Sequence, residues 1–279
     1  MAASRERIQL GKSGVKHAMP PRLSASAINR FELCPKQFLF ADVLRERQQE
    51  EPSPILVQAN AIHHALERFF GLPLNERDPE NLARALRSVW PQHRKRGAFA
   101  HADEEAFYGL EAIAMLRSFA GAFALDAEPL AREQWLKGRT KSGIEIIGKL
   151  DRVDERPDGL SITDYKTGQR MLEPEDLRHE AAVAVYISLA EASYRRPVTR
   201  VRYLYLRQGA DVVWELERED VEALKRGIPT RIGEIRRATR EGFVATPGEH
   251  CRFCPFALRC PERSRVSLDD LQVAEGLPF

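Results

Sequence analysis

The sequence predicts an α/β protein, with a small mixed sheet flanked by helices. Three observations carry this. Residues 57–125 keep their apolar side chains near helical spacing. From Ile144 the pattern switches to alternation, and Pro157-Asp158-Gly159 supplies a turn between two alternating runs. Helical patterning then returns at Pro174 and at Asp220, with two further short alternating runs between.

Taken in order, Ser24 or Ser26 can cap a helix running through Ile28, Phe31 and Leu33, with Pro35 marking its end. Residues 58–70 form a second helix, with Ile62, Leu66, Phe69 and Phe70 on its apolar side. Residues 80–90 and 102–123 are helical as well, after Pro73 and Pro79. Ile144, Ile146, Gly148 and Leu150 alternate with Glu145, Ile147, Lys149 and Asp151, so a strand ends at Asp151. Residues 160–165 are its hairpin partner, and residues 174–194 a helix. Residues 201–206 and 212–216 are strands around the turn Gln208-Gly209-Ala210. Residues 220–240 make a long charged helix that Pro229 can kink or split.

The 279 residues fit one large domain, and 43% hydrophobic content is enough for a sizeable core. A loose basic tail is expected over residues 1–20, a folded domain over residues 21–265 and a C-terminal tail over residues 266–279. The net charge of +2 does not by itself call for a nucleic-acid partner, although arginine, whose planar fork suits phosphate, dominates the basic residues. Arg94, Lys95 and Arg96, or Arg231, Arg236, Arg237 and Arg240, are candidate phosphate contacts. No apolar run approaches the roughly 20 residues that span a bilayer. The first residues are polar and basic, without the apolar stretch of a secretory signal, so a cytoplasmic protein with no membrane contact is expected.

All four cysteines fall into one pattern. Cys251, Cys254 and Cys260 form C-x₂-C-x₅-C, and Cys34 sits far upstream in L-C-P-K. Disulfides are uncommon in a cytoplasmic protein, so metal ligation or core packing is the better reading. Thiolates from the two ends of the chain can close a four-sulfur metal site and clasp the fold.

Between these ends lie G-K-L-D-R-V-D (148–154) and I-T-D-Y-K (162–166). Asp164 and Lys166 share one face of a strand, and a hairpin brings Asp151 beside them. Two close carboxylates repel unless a cation neutralises them, and magnesium or manganese does so with hard oxygen ligands. Such an ion activates water and offsets phosphodiester charge, while Lys166 orients the water or stabilises the phosphate. His63, in A-I-H-H-A-L-E, can complete the shell; Glu67, one turn on, can face the same carboxylates, and His64 points elsewhere.

These segments resemble the RecB-like branch of the PD-(D/E)XK nuclease superfamily. The likeness is to its iron–sulfur subgroup, which includes the AddB nuclease domain and the small CRISPR-adaptation exonucleases. It runs from Leu23 to about Pro261, through L-S-A-S-A-I-N-R-F-E-L-C-P, A-N-A-I-H-H-A-L-E, G-K-L-D-R-V-D, I-T-D-Y-K and H-C-R-F-C-P-F-A-L-R-C-P. The resemblance implies a restriction-endonuclease-like core over residues 21–265, with a helical insertion over residues 57–125 and a cysteine motif over residues 250–261. It implies His63, Asp151, Asp164 and the main-chain carbonyl of Tyr165 as ligands of Mg²⁺ or Mn²⁺, and Lys166 as the catalytic lysine. It further implies that Cys34, Cys251, Cys254 and Cys260 hold a 4Fe–4S cluster, with zinc the alternative that spacing leaves open. Tyr186 matches a DNA-holding tyrosine, although the family's glutamine four residues earlier is Ala182 here, and Ala59 replaces its usual glycine.

The expected activity is therefore metal-dependent exonuclease action on DNA, at single-stranded ends, in repair, recombination or CRISPR adaptation. The chain shows no Walker A segment, so unwinding is expected from a separate helicase. Two other readings remain: a DNA-binding or scaffolding subunit of a helicase–nuclease or CRISPR complex, and a zinc-stabilised hydrolase acting on something other than DNA.

Overall fold

A computed structural model describes residues 16–46, 53–178 and 180–262. The C-terminal tail expected over residues 266–279 lies outside the described residues, as do residues 1–15 of the N-terminal one. Its described end is anchored. The His17 amide donates to the Thr239 carbonyl at 2.9 Å, and its ring meets Phe243 edge-on.

Six strands form one mixed sheet: β1 (Arg22–Ser24), β2 (Ala131–Arg139), β3 (Glu145–Arg156), β4 (Gly159–Lys166), β5 (Val198–Tyr205) and β6 (Ala210–Glu215). β2 to β6 lie side by side in chain order, and β1 runs parallel to the first residues of β3. The β3–β4 hairpin turns at the predicted Pro157-Asp158-Gly159. Gly159 has φ +154°, and a Cβ there would come within 2.4 Å of the Pro197 carbonyl, so only glycine fits. β4 and β5 are parallel, which requires a crossover; α6 (Pro174–Leu177) and α7 (Ala181–Tyr194) make it.

Helices cover both faces. On one, α1 (Ala25–Leu33), α7 and α8 (Arg218–Glu241) pack on Ile146, Leu150, Ile162, Tyr203 and Tyr205. On the other, α3 (Pro54–Phe69), α4 (Pro79–His93) and α5 (Ala102–Ala122) pack on Tyr165, Leu204 and Leu206. Tyr203 and Tyr205 against one layer and Leu204 against the other is the period-two signature of a strand buried on both sides.

The structure differs from the sequence reading in particular places. α1 starts as expected, with Ser24 accepting from the Ala27 amide at 3.0 Å, but Pro35 opens a further short helix, α2 (Pro35–Phe38), rather than ending helical structure. Proline suits that first helical position because no amide is needed there. β1 and β2 were not anticipated. The helix expected over residues 174–194 is two pieces, and Pro229 lies within an unbroken α8. β3 continues five residues past Asp151, to Arg156, so Asp151 is internal to its strand.

Candidate active site

The site forms where β3 and β4 part. Their pairing runs from Arg156↔Gly159 to Arg152↔Thr163 and goes no further. Past that point the Asp151 side chain replaces the ladder: its Oδ2 accepts from the Tyr165 amide at 2.8 Å. The pleat also changes phase here. Leu150 and Val153, three residues apart, both face the first core. Opposite, on β2, Ala131 and Leu136 do the same across an odd interval. Glu133 lies between them at φ +45°, a left-handed backbone that costs a non-glycine residue about 1–2 kcal/mol.

α3 delivers the imidazole. Its apolar stripe of Val57, Ala61, Ile62, Leu66 and Phe69 is fully buried, which fixes the helix rotation and turns His63 to the sheet. His63 Nε2 lies 3.1 Å from the Tyr165 carbonyl oxygen, and Nδ1 lies 3.0 Å from Glu133 Oε1 and 3.4 Å from Asp151 Oδ1. Burial alone would lower the imidazole pKa. Asp151, by charge and hydrogen bond, and then Glu133 outweigh it and lift the value to about 10.

β4 delivers the other pair. Lys166 Nζ sits 2.9 Å from Asp164 Oδ1 and 4.3 Å from the centre of the Tyr203 ring. Burial pushes the Asp164 carboxyl up; Lys166 opposes this and Asp151 adds to it, and the result is about 6. Burial pulls the Lys166 ammonium down, but Asp164 and Asp151 more than compensate and hold it above its ordinary value. The two strand residues do share one face, as the D-x-K spacing implied.

His63, Glu133 and Asp151 each offer a ligand atom within 4.8 Å of the others, the one such group among the described residues. Within it the Asp151 carboxylate, the adjoining Tyr165 carbonyl and one imidazole nitrogen suit magnesium or manganese, while both Glu133 oxygens are engaged by His63 and Lys149. Asp164 is outside that triplet and is instead paired with Lys166. It remains close enough to feel the charges of Asp151 and His63.

An open cleft of about 360 Å³ exposes this group, lined by Ala59, His63, His64, Glu67, His93, Lys149 and their neighbours. Glu67 lines it as expected. His64, expected to point elsewhere, lines it too and meets His93 across 3.0 Å. Tyr186 packs close to the site from α7: a Cβ on Gly148 would come within 3.1 Å of its ring, so the glycine permits the approach. Burial, and then the Asp164 and Asp151 charges, push its phenol above the ordinary range. Glu133, His93 and Lys149 are the residues that sequence reasoning missed as a group. The signal for Glu133 was the register: a hairpin folded about Lys141-Ser142-Gly143 pairs Gln134 with Leu150 and sets Glu133 across from Asp151.

Apart from this cleft, Cys34, Cys251, Cys254 and Cys260 line one cavity together with Phe40, Thr246 and Phe256. Burial, and then the three other sulfurs, raise the Cys254 thiol pKa. Cys34 is 7% exposed, and its sulfur accepts from the Thr246 amide at 3.5 Å. No three of these sulfurs lie within 4.8 Å of one another.

No curated protein matches the chain. Among solved structures, the one titled "Crystal structure of SSO0001" is similar at 11% identity and a TM-score of 0.40, covering 87% of each chain. The family model described as PD-(D/E)XK nuclease superfamily matches residues 22–261, which spans the whole sheet, the acidic cleft and all four cysteines. The chain belongs to the PD-(D/E)XK nuclease superfamily, whose members are typically metal-dependent nucleases.

Proposed function

We propose that this protein is a RecB-like, divalent-metal-dependent exonuclease acting on single-stranded DNA ends. The observation that carries the reading is the convergence of His63, Asp151 and the Tyr165 carbonyl beside the Asp164–Lys166 pair. Asp151, Asp164, the Tyr165 carbonyl and His63 would hold Mg²⁺ or Mn²⁺. When bound, such an ion polarises a phosphodiester oxygen and acidifies a coordinated water. Lys166, protonated and tied to Asp164, offers an ammonium that orients the attacking water and offsets negative charge on the phosphate. Asp151 braces the site by holding the Tyr165 amide, which aims the neighbouring carbonyl at His63. Tyr186, over Gly148, bounds the site from the α7 side and is a candidate DNA contact.

The surroundings favour a nucleic-acid strand as substrate. Lys149, His64 and His93 line the cleft. His93 ends α4, and the next residues, Arg94, Lys95 and Arg96, line a neighbouring cavity with Phe99. Cationic groups beside an aromatic ring suit a backbone and its unstacked bases. Arg94 and Arg231 each form an ion pair, with Glu105 and Glu32 respectively.

The cysteines would hold a 4Fe–4S cluster that clasps the two parts of the chain, with zinc the alternative; the lining of one cavity by all four supports a shared centre. The setting would be repair, recombination or CRISPR adaptation, with a separate helicase or adaptation protein as partner. Ala182, in place of the family's glutamine, favours a second reading: a DNA-binding subunit with little activity alone.

The test is an end-labelled single strand incubated with anaerobically purified protein and Mn²⁺ or Mg²⁺. Wild type should shorten the strand progressively and Lys166→Ala should leave it intact. Binding without cleavage in either metal would favour the subunit reading, and equal cleavage by the variant would refute the assignment.

A further inference from the structure

We propose that Glu133 is a positioning residue for His63, holding the imidazole through Nδ1 so that Nε2 faces the Tyr165 carbonyl. The proposal rests on the nuclease reading, in which His63 and that carbonyl share a metal.

Four observations support it. The Glu133 side chain is only 5% exposed, deep burial for a carboxylate. Both its oxygens are occupied: Oε1 faces His63 Nδ1 at 3.0 Å, and Oε2 is ion-paired with Lys149. A carboxylate so engaged is a poor candidate for direct ligation and a good one for orienting a ring. Its backbone is left-handed at φ +45°, where a glutamate has no reason to be unless its side chain is needed there. Finally, the phase of the pleat changes on β2 around Glu133 and on β3 around Asp151, its cross-strand neighbour.

The chemistry follows from the imidazole itself. A ring that donates Nδ1–H to a carboxylate keeps the Nε2 lone pair for a metal, and such a partner also fixes the ring's rotation. Lys149 completes the arrangement. Its ammonium balances Glu133, so that a third carboxylate can sit beside Asp151 and Asp164 without adding net negative charge.

The experiment titrates Mn²⁺ into the full-length protein, following free Mn²⁺ by electron paramagnetic resonance, with thermal melting in parallel. Glu133→Ala should weaken Mn²⁺ binding by about 10–100-fold while the protein stays folded. Glu133→Gln, whose amide oxygen still accepts from Nδ1–H, should recover affinity to within about threefold of wild type. Glu133→Gly, which removes the carboxylate but tolerates the left-handed backbone, should melt about 2 °C or more above Glu133→Ala. Wild-type affinity in Glu133→Ala would overturn the proposal. So would a glutamine variant as weak as the alanine one, which would make Glu133 a direct ligand. A glycine variant that melts no higher than the alanine one would overturn the strain argument. Wild type that takes up no Mn²⁺ would instead bring down the nuclease reading on which the proposal stands.

Discussion

The acidic cleft draws its residues from α3, the end of α4 and two neighbouring strands of the sheet, whereas the cysteine cavity draws from the two ends of the described chain. The difference shows in what each costs the metal-free fold. At this site Asp151 and Glu133 crowd around His63 while Asp164 pairs with Lys166 beside them, the Asp164 carboxyl is pushed up to about 6, and Glu133 is held in a left-handed backbone. In the cavity, Cys34 lies over 200 positions from Cys251, and the segments around them meet through Phe40 on Phe256, Phe31 and Phe38 on Phe243, and the Arg259–Glu46 ion pair. The first arrangement spends stability to prepare a charged site. The second is where the proposed metal centre would add stability.

The comparison predicts opposite outcomes for substitutions at the two places. The largest effect is on activity: Asp164→Ala or Lys166→Ala should lower cleavage of single-stranded DNA by about two to three orders of magnitude in a gel assay, with circular dichroism unchanged. Loss of the fold in these variants would break the contrast.

Next in size is stability at the other site. Cys254→Ala should remove absorbance near about 400 nm from anaerobically purified protein. It should also lower Tm by roughly 10 °C, because a structural metal centre contributes folding energy directly. Unchanged Tm and metal content would mean that the cysteines do not clasp the ends.

A smaller effect of opposite sign is expected at Asp164. Its folded pKa of about 6 lies above the ordinary 3.8, so the metal-free fold binds this proton more tightly than the unfolded chain does. The stabilisation is fully present below pH 3.8 and is lost as pH rises through about 6. Asp164→Asn should therefore raise the metal-free Tm at pH 7.5 by a few degrees and flatten its pH dependence between pH 4 and 7. A variant that melts lower at pH 7.5 would show that the Lys166 pair, rather than burial, dominates.

The smallest effect concerns the approach to the cleft. Lys95→Ala with Arg96→Ala should reduce the salt dependence of single-strand binding by about 1.4 in the log–log slope, the value for two lost phosphate contacts. Cleavage of a small phosphodiester such as bis-nitrophenyl phosphate should not change. An unaltered slope would remove the α4 end from the strand's path.

The parts of this design differ in how far the sequence announces them. His63, Asp151, Asp164 and Lys166 sit inside local patterns, where helical or strand spacing alone sets which face each side chain takes. The four cysteines are legible from C-x₂-C-x₅-C plus one upstream partner. β1 is three residues long, too short to show a period. β2 is obscured for a more interesting reason. Among the described residues it pairs only with β3, and the left-handed residue at Glu133 shifts its alternation, which puts Ala131 and Leu136 on one core. A pattern-based reading fails at the residue where the backbone departs from regular geometry, and the departure is what turns Glu133 toward His63. β3 ran longer than expected because D-R-V-D-E-R looks solvated, yet Arg152 lies over the Phe70 ring at 4.4 Å and is buried.

The measurement that bears most directly on the contrast is a paired metal analysis: Mn²⁺ binding and iron content in Asp151→Ala and in Cys254→Ala, each against wild type. The account predicts that Asp151→Ala loses Mn²⁺ and keeps its iron, while Cys254→Ala loses iron. Retention of Mn²⁺ binding by Asp151→Ala, or of iron by Cys254→Ala, would contradict it.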